Sequence, residues 1–323
     1  MKDHNVKNID YHYSSLFRGR RSSILADPPS HFTVENSLSQ ELLKLSFDDR
    51  NAIEEEIHGV RCGAVDETPE LIQRSLIQFD SELIAIKVGY PKNDLLRNVL
   101  SISYFDTKKI AAADSSTAPN SKCYLNNPDI RLRFLRCECF VVEKAVHRFL
   151  NFLEFSSELF GDFVAERPIR LSDFNTKQEI TALQNSRVQY LPFRDRSGRR
   201  VIAGVGACGF DLDITLRSKI VMYLHWVASE DIETQRKGVV IIEWPFDERH
   251  NGTMWEKSIR PTMKNQVRIN IRKDYDSMTI RVASLHLCYS DTLFFRALSA
   301  LFVYGLDSHH KSICKTHYGT LCL

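Results

Sequence analysis

Apolar residues recur along this chain in two rhythms, and each predicts a different kind of element. Between Val34 and Ile57, the positions Leu38, Leu42 and Leu45 precede the acidic run Glu54-Glu55-Glu56, which predicts one or two short helices with a solvated acidic face. Thr68 is an N-cap residue with Pro69 behind it. Leu71, Ile72, Leu76, Phe79, Leu83 and Ile86 then recur every three or four residues, so another helix begins there. Pro128-Asp129 opens a helix with Leu132 and Leu135. After Cys139-Phe140 a longer one carries Val142, Ala145, Val146, Phe149 and Leu153 to a stop at Gly161.

From Arg199 the rhythm changes to strands alternating with helices. The pattern predicts a strand from Arg200 to Gly206, a helix from about Thr215 to Glu233 and a near-continuous apolar strand from Gly238 to Trp244. A strand from Thr279 to Tyr289, an apolar helix from Leu293 to Tyr304 and a last strand from Lys311 to His317 follow. Such alternation implies parallel pairing, hence an α/β fold: a helical N-terminal region followed by a mostly parallel sheet flanked by helices. The expected organisation is a flexible lead-in over 1–30, a helical region of unassigned role over 31–125, a helical pair over 126–165 and an α/β domain over 166–323. Residues 106–123, rich in Ala, Ser, Asp and Thr, read as a loop.

Composition narrows the classes. The 323 residues are 43% hydrophobic and 26% charged, which fits a folded globular chain and excludes wholesale disorder. A formal charge of +2 gives no field for nucleic acid, so no nucleic-acid partner is expected. Charged residues interrupt every apolar run in the first thirty positions, so no secretory signal is expected. The eight cysteines then read as free thiols and the location as cytoplasmic, with membrane contact at most peripheral. The densest apolar stretch, Leu293 to Tyr304, has 10 apolar residues in 12. That is short of the roughly 18 a span needs.

Several strings carry chemistry and have blander readings beside it. Gly204, Gly206 and Gly209 make a formal G-x-G-x-x-G after a strand, which leaves an NAD(P)-dependent oxidoreductase as an alternative. Asp211 and Asp213 stand where phosphates would approach, and the next strand's acid, Glu243, is 34 residues past Gly209 where about 20 is usual, so a crowded strand end explains the glycines better. Cys137-x-Cys139 and His286-x-Cys288 each offer two metal ligands, whereas a structural zinc needs four, and no metal or cofactor is expected. Cys137 or Cys139 reads as a small apolar filler, His286 as a hydrogen-bonded structural histidine and His309-His310 as a solvated turn. Arg194, Arg196, Arg199 and Arg200 are the expected membrane-facing basic residues, unless charge there only keeps a turn soluble. No nucleophile elbow, P-loop or H-E-x-x-H string occurs, so no catalytic residues and no enzyme are expected.

The order of elements and four strings resemble the CRAL-TRIO family, intracellular proteins that hold a lipid or other hydrophobic molecule in a closed α/β pocket. Arg131-Leu132-Arg133-Phe134-Leu135-Arg136, with Phe140 and Glu143-Lys144-Ala145 after it, is similar to the family's arginine-flanked Phe-Leu-Arg signature. Gly198-Arg199-Arg200-Val201 looks like the Gly-Arg start of its first strand, and Arg281-Val282 through Leu285-His286 like the strand before its gate helix. His317-Tyr318-Gly319 resembles the closing strand, so the likeness spans about residues 127–319. Val141 stands where the family's helix starts with Asp, and Cys288 where it often has Asn. No lysine occurs in the gate-like helix, and the chain ends at Leu323, where a closing helix is expected.

The resemblance implies non-catalytic binding of a hydrophobic small molecule or phospholipid by a monomer, for transfer or sensing. Ile242, Leu285, Leu287, Phe294, Leu298, Leu301 and Phe302 would line the pocket, with Leu293 to Tyr304 as lid. It also favours a helix over most of Trp255 to Tyr275, although Val267, Ile269 and Ile271 alternate as a strand would. A protein-interaction module with a degenerate pocket is the rival reading.

Overall fold

Helix starts are set by short polar side chains that satisfy the first free amides. In the structure, a computed structural model that describes residues 33–89, 124–185, 188–205, 213–244, 270–291 and 293–319, Thr33 and Ser46 cap helices α1 (Val34–Leu43) and α2 (Phe47–Ile57). Thr68 accepts from the Leu71 amide at 3.2 Å to open α3 (Pro69–Gly89), as its sequence position predicts. Asn127 caps α4 (Pro128–Cys137), whereas α5 (Val142–Phe160) starts at Val141 without any side-chain cap. A reciprocal Thr176–Glu179 capping box begins α6 (Lys177–Gln184), a helix not expected from the apolar pattern.

The fold is α/β: a five-stranded, mostly parallel sheet flanked by helices, with a helical N-terminal region. Strands β1 (Val188–Arg194), β2 (Arg200–Val205), β3 (Val239–Trp244), β4 (Val282–Ser290) and β5 (Cys314–Gly319) lie side by side in chain order. Only β1 runs antiparallel to its neighbour. This strand was also unexpected. Its Pro192 is tolerated because β1 is an edge strand with an irregular register between Tyr190 and Arg194.

Two boundaries differ from expectation. The helix foreseen from Thr215 to Glu233 is two helices, α7 (Ile214–Ala228) and α8 (Ile232–Lys237), because Ser229 closes the first and Asp231 caps the second. The last strand begins three residues late, since Asp307 accepts from the His310 amide at 2.7 Å and draws residues Ser308–Ser312 into a short helix, α10. His310 is therefore no solvated turn: it is buried, with its ring 4.8 Å from that of Tyr275. The expected loop at 106–123 and most of the helix at 255–275 lie outside the described residues, of which 270–276 are helical.

Crossovers that step one strand at a time in one direction put their helices on one face of a sheet, because each is right-handed. The burial pattern agrees. Ile202, Ile241, Leu285 and Leu287 share a core with Ile271 and Tyr275 of the helical segment at 270–276 and with Leu298 and Phe302 of α9 (Leu293–Gly305). Helix α7 serves three cores, the smallest formed by its Leu216 and Ile220 with Phe174 and Ala182. Val221 and Ala228 pack against the sheet cluster, while Met222 and Trp226 belong to the cluster of α3, α4 and α5, where the Trp226 ring stacks on Phe152 at 5.4 Å. Packing therefore runs across the boundary expected near residue 165. Among the described residues no helix is long and apolar enough to cross a membrane.

Candidate functional site beneath helix α9

Alternation along β4 separates two chemistries. Leu285, Leu287 and Tyr289 point to the face that carries α9, and His286 and Cys288 to the other. On the α9 face, Leu285 and Leu287 are 0% exposed, and Leu298 and Phe302 close over them. These four expected pocket residues do come together. Ile242 does not join them, because its register partner is His286 and it lies on the opposite face. Leu301 is half-buried outside the cluster, and the Phe294 side chain lies outside the described residues.

The structure adds residues that strand and helix periodicity did not single out. Tyr275 meets Phe302 edge-on at 6.3 Å, and Tyr289 stacks near Tyr318 at 6.2 Å. Ser299 of α9 shares a 2.6 Å hydrogen bond with the Tyr318 hydroxyl, and the Arg296 guanidinium lies 4.7 Å over the Tyr318 ring. Glu243, in register with Leu287, faces the same side. Burial, then the nearby Glu243 carboxylate, pushes the Tyr275 hydroxyl well above the ordinary tyrosine range. The arrangement is an apolar floor and covering helix with phenol and serine hydroxyls at one side, chemistry suited to holding an apolar molecule with a small polar group. Between α5, α7 and the segment at 270–279 lies a cavity of about 10 Å³, lined by Phe152, Met222, His225 and Asp274 among others. That is room for about one water molecule.

The guanidinium groups of Arg194, Arg196, Arg199 and Arg200, the expected membrane-facing residues, engage the chain itself. Arg194 pairs with Asp231 and Glu233, and Arg200 reaches Asp231 at 3.8 Å. Arg196 donates to the carbonyls of His58 and Gly59, and Arg199, 1% exposed, joins the Asp195 carboxylate to the Glu56 carbonyl. Those carbonyls end α2, where the helix dipole is negative, so the turn is a socket for that helix. Helix α2 thereby covers the sheet face opposite α9, where Arg281 pairs with Glu56 at 2.8 Å.

On that second face the rings of His286 and His317 stack, with His286 Nδ1 and His317 Nε2 3.0 Å apart. Burial, then the neighbouring His317, pulls His286 down to about 4, and burial also lowers His317. Among the described residues no group of three or more His, Cys, Asp or Glu side chains forms a metal site. Cys137 is a buried filler whose thiol burial pushes up to about 12. The glycine string offers no phosphate cradle in its described part. The amides of Thr215 and Leu216 that open α7 already bond Asp213 Oδ1 at 3.0 and 3.2 Å. Gly206 and Gly209 lie outside the described residues.

No model of a known protein family and no curated protein matches this chain.

Proposed function

We propose that the chain binds an apolar small molecule, such as a phospholipid, between the sheet and α9, with α9 as the lid and transfer or sensing as its use. One observation carries this reading: a thirteen-residue helix whose only charged residue is Arg296 covers the α9 face of β4 through Leu298 and Phe302. Apolar contacts are non-directional, so an acyl chain inserted beneath the helix offers the sheet the same kind of contact that the helix now makes. The CRAL-TRIO resemblance, which assigns a gate to this same segment, supports the reading. Opening is required, because the space between sheet and helix is filled by side chains.

Native mass spectrometry of the full chain purified from cells tests it. A co-purifying lipid, or uptake of lipid from phosphatidylcholine vesicles, is the expected result. A bound dinucleotide would instead favour the oxidoreductase reading. A chain that carries no small molecule and takes up none from vesicles would overturn lipid binding and leave the interaction module.

A further inference from the structure

Cys62 and Cys139 come from segments far apart in sequence and meet where the segment after α2 touches the turn after α4. Nη2 of Arg281 donates to Cys62 Sγ at 3.9 Å, and the charge of Arg281 also acts on the Cys139 thiol. Cys139 Sγ lies 3.9 Å from the carbonyl oxygen of Gly63, the residue next to Cys62, while Cys62 Sγ lies 3.7 Å from the Lys237 carbonyl. Gly63 follows Cys62 directly, so the Gly63 contact brings the Cys139 thiol to the segment that carries Cys62. Both residues are half-buried, whereas Cys137 and Cys314 are buried.

The turn that presents Cys139 is unusual. Cys139 and Phe140, neither of them glycine, adopt left-handed φ of 49° and 63°. Such conformations persist only where the surroundings hold them, and they gather at functional sites. Here the Phe140 amide donates to the Leu135 carbonyl at 2.7 Å, and Arg148 pairs with Glu138.

We propose that Cys62 and Cys139 form a reversible disulfide that latches the segment after α2 to the turn between α4 and α5. With a low-molecular-weight disulfide as oxidant, the Cys62 thiolate attacks one of its sulfurs, and that S–S bond breaks to release one small thiolate. The Cys139 thiolate then attacks the Cys62 sulfur of the mixed disulfide and expels the second small thiolate. The two protein thiols give up two protons and two electrons in all, and the small disulfide is reduced to two thiols. Arg281 stabilises each thiolate as it forms. Burial pushes the Cys139 thiol up, so the closing step quickens as pH rises.

The test is oxidation of the full-length folded chain with oxidised glutathione, followed by alkylation and peptide mapping. The expected product is one cross-linked peptide joining Cys62 to Cys139, lighter by two hydrogens and cleaved by reductant. Cys62→Ser and Cys139→Ser should each lose the cross-link and retain a glutathione adduct on the remaining cysteine. Amide exchange over 58–67 should slow by about tenfold or more on oxidation. Stable adducts on both cysteines of the unmutated chain, cross-links to any other cysteine, or two unchanged thiols would each overturn the latch. The mapping of the unmutated chain decides the matter even if a serine variant fails to fold.

Discussion

The two faces of β4 are covered in opposite ways. On one, Leu285 and Leu287 meet Leu298 and Phe302 of α9, and the contact is mainly apolar area, with Ser299 and Arg296 meeting Tyr318 at its margin. On the other, α2 is fastened by directional groups: Arg199 and Arg196 on its terminal carbonyls, Arg281 on Glu56 and Lys315 on Glu54. Area can be exchanged for other area. A buried charged hydrogen bond cannot, because breaking it leaves an uncompensated charge. On the proposed reading, the α9 cover yields to a ligand and the α2 cover serves as the fixed wall.

The strongest challenge to this contrast is Arg199→Ala. It strands the Asp195 carboxylate and the end of α2, and a loss of about 3 to 5 kcal/mol in urea unfolding is expected. A loss below about 1 kcal/mol would mean that the polar face is not the fixed one. Leu298→Asp comes next. Detachment of α9 caps its cost at the free energy of opening that helix, below the several kcal/mol of burying a carboxylate in a rigid core. Hydrogen exchange should then show protection lost over 293–305 and kept in β2 to β4, with lipid uptake abolished. Loss of protection throughout the sheet would make α9 a core helix.

Acid should loosen the polar face. His286 titrates near 4 when folded against an ordinary 6.5, so the unfolded chain takes up protons that the folded one refuses. This contribution is intact above about 6.5 and is lost progressively as pH falls towards about 4. His225, pulled down to about 4 by burial, acts in the same direction. Urea unfolding across that window should therefore show falling stability that His286→Gln reduces but does not remove; an unchanged slope would break the assignment. The smallest effect belongs to Lys315→Ala. Its 2.7 Å pair with Glu54 is about one-third exposed on both sides, and a cost of about 0.2 to 1 kcal/mol, diminished by salt, is expected in the same measurement.

Much of this contrast was legible in the sequence. Strict alternation in Leu285-His286-Leu287-Cys288 separates the two chemistries, because neighbouring strand residues must point apart. The apolar circumference of Leu293 to Tyr304 marks a helix that must be covered or must cover something. What alternation cannot give is which face of one strand continues which face of the next. The resemblance puts Ile242 in the pocket with Leu285, whereas the register sets it opposite His286.

Local pattern was enough for the α/β class, the Thr68-capped start of α3 and the apolar character of α9, since these depend on periodicity and on a cap within four residues. Where charge goes is settled by packing in space. Arg199 reads as a surface cation beside its basic neighbours, yet it is buried because the carbonyl ends of a helix more than 140 residues earlier arrive at its guanidinium. The partner that turns a solvated charge into a structural one lies in space and not in the neighbouring sequence, so no local pattern can announce it.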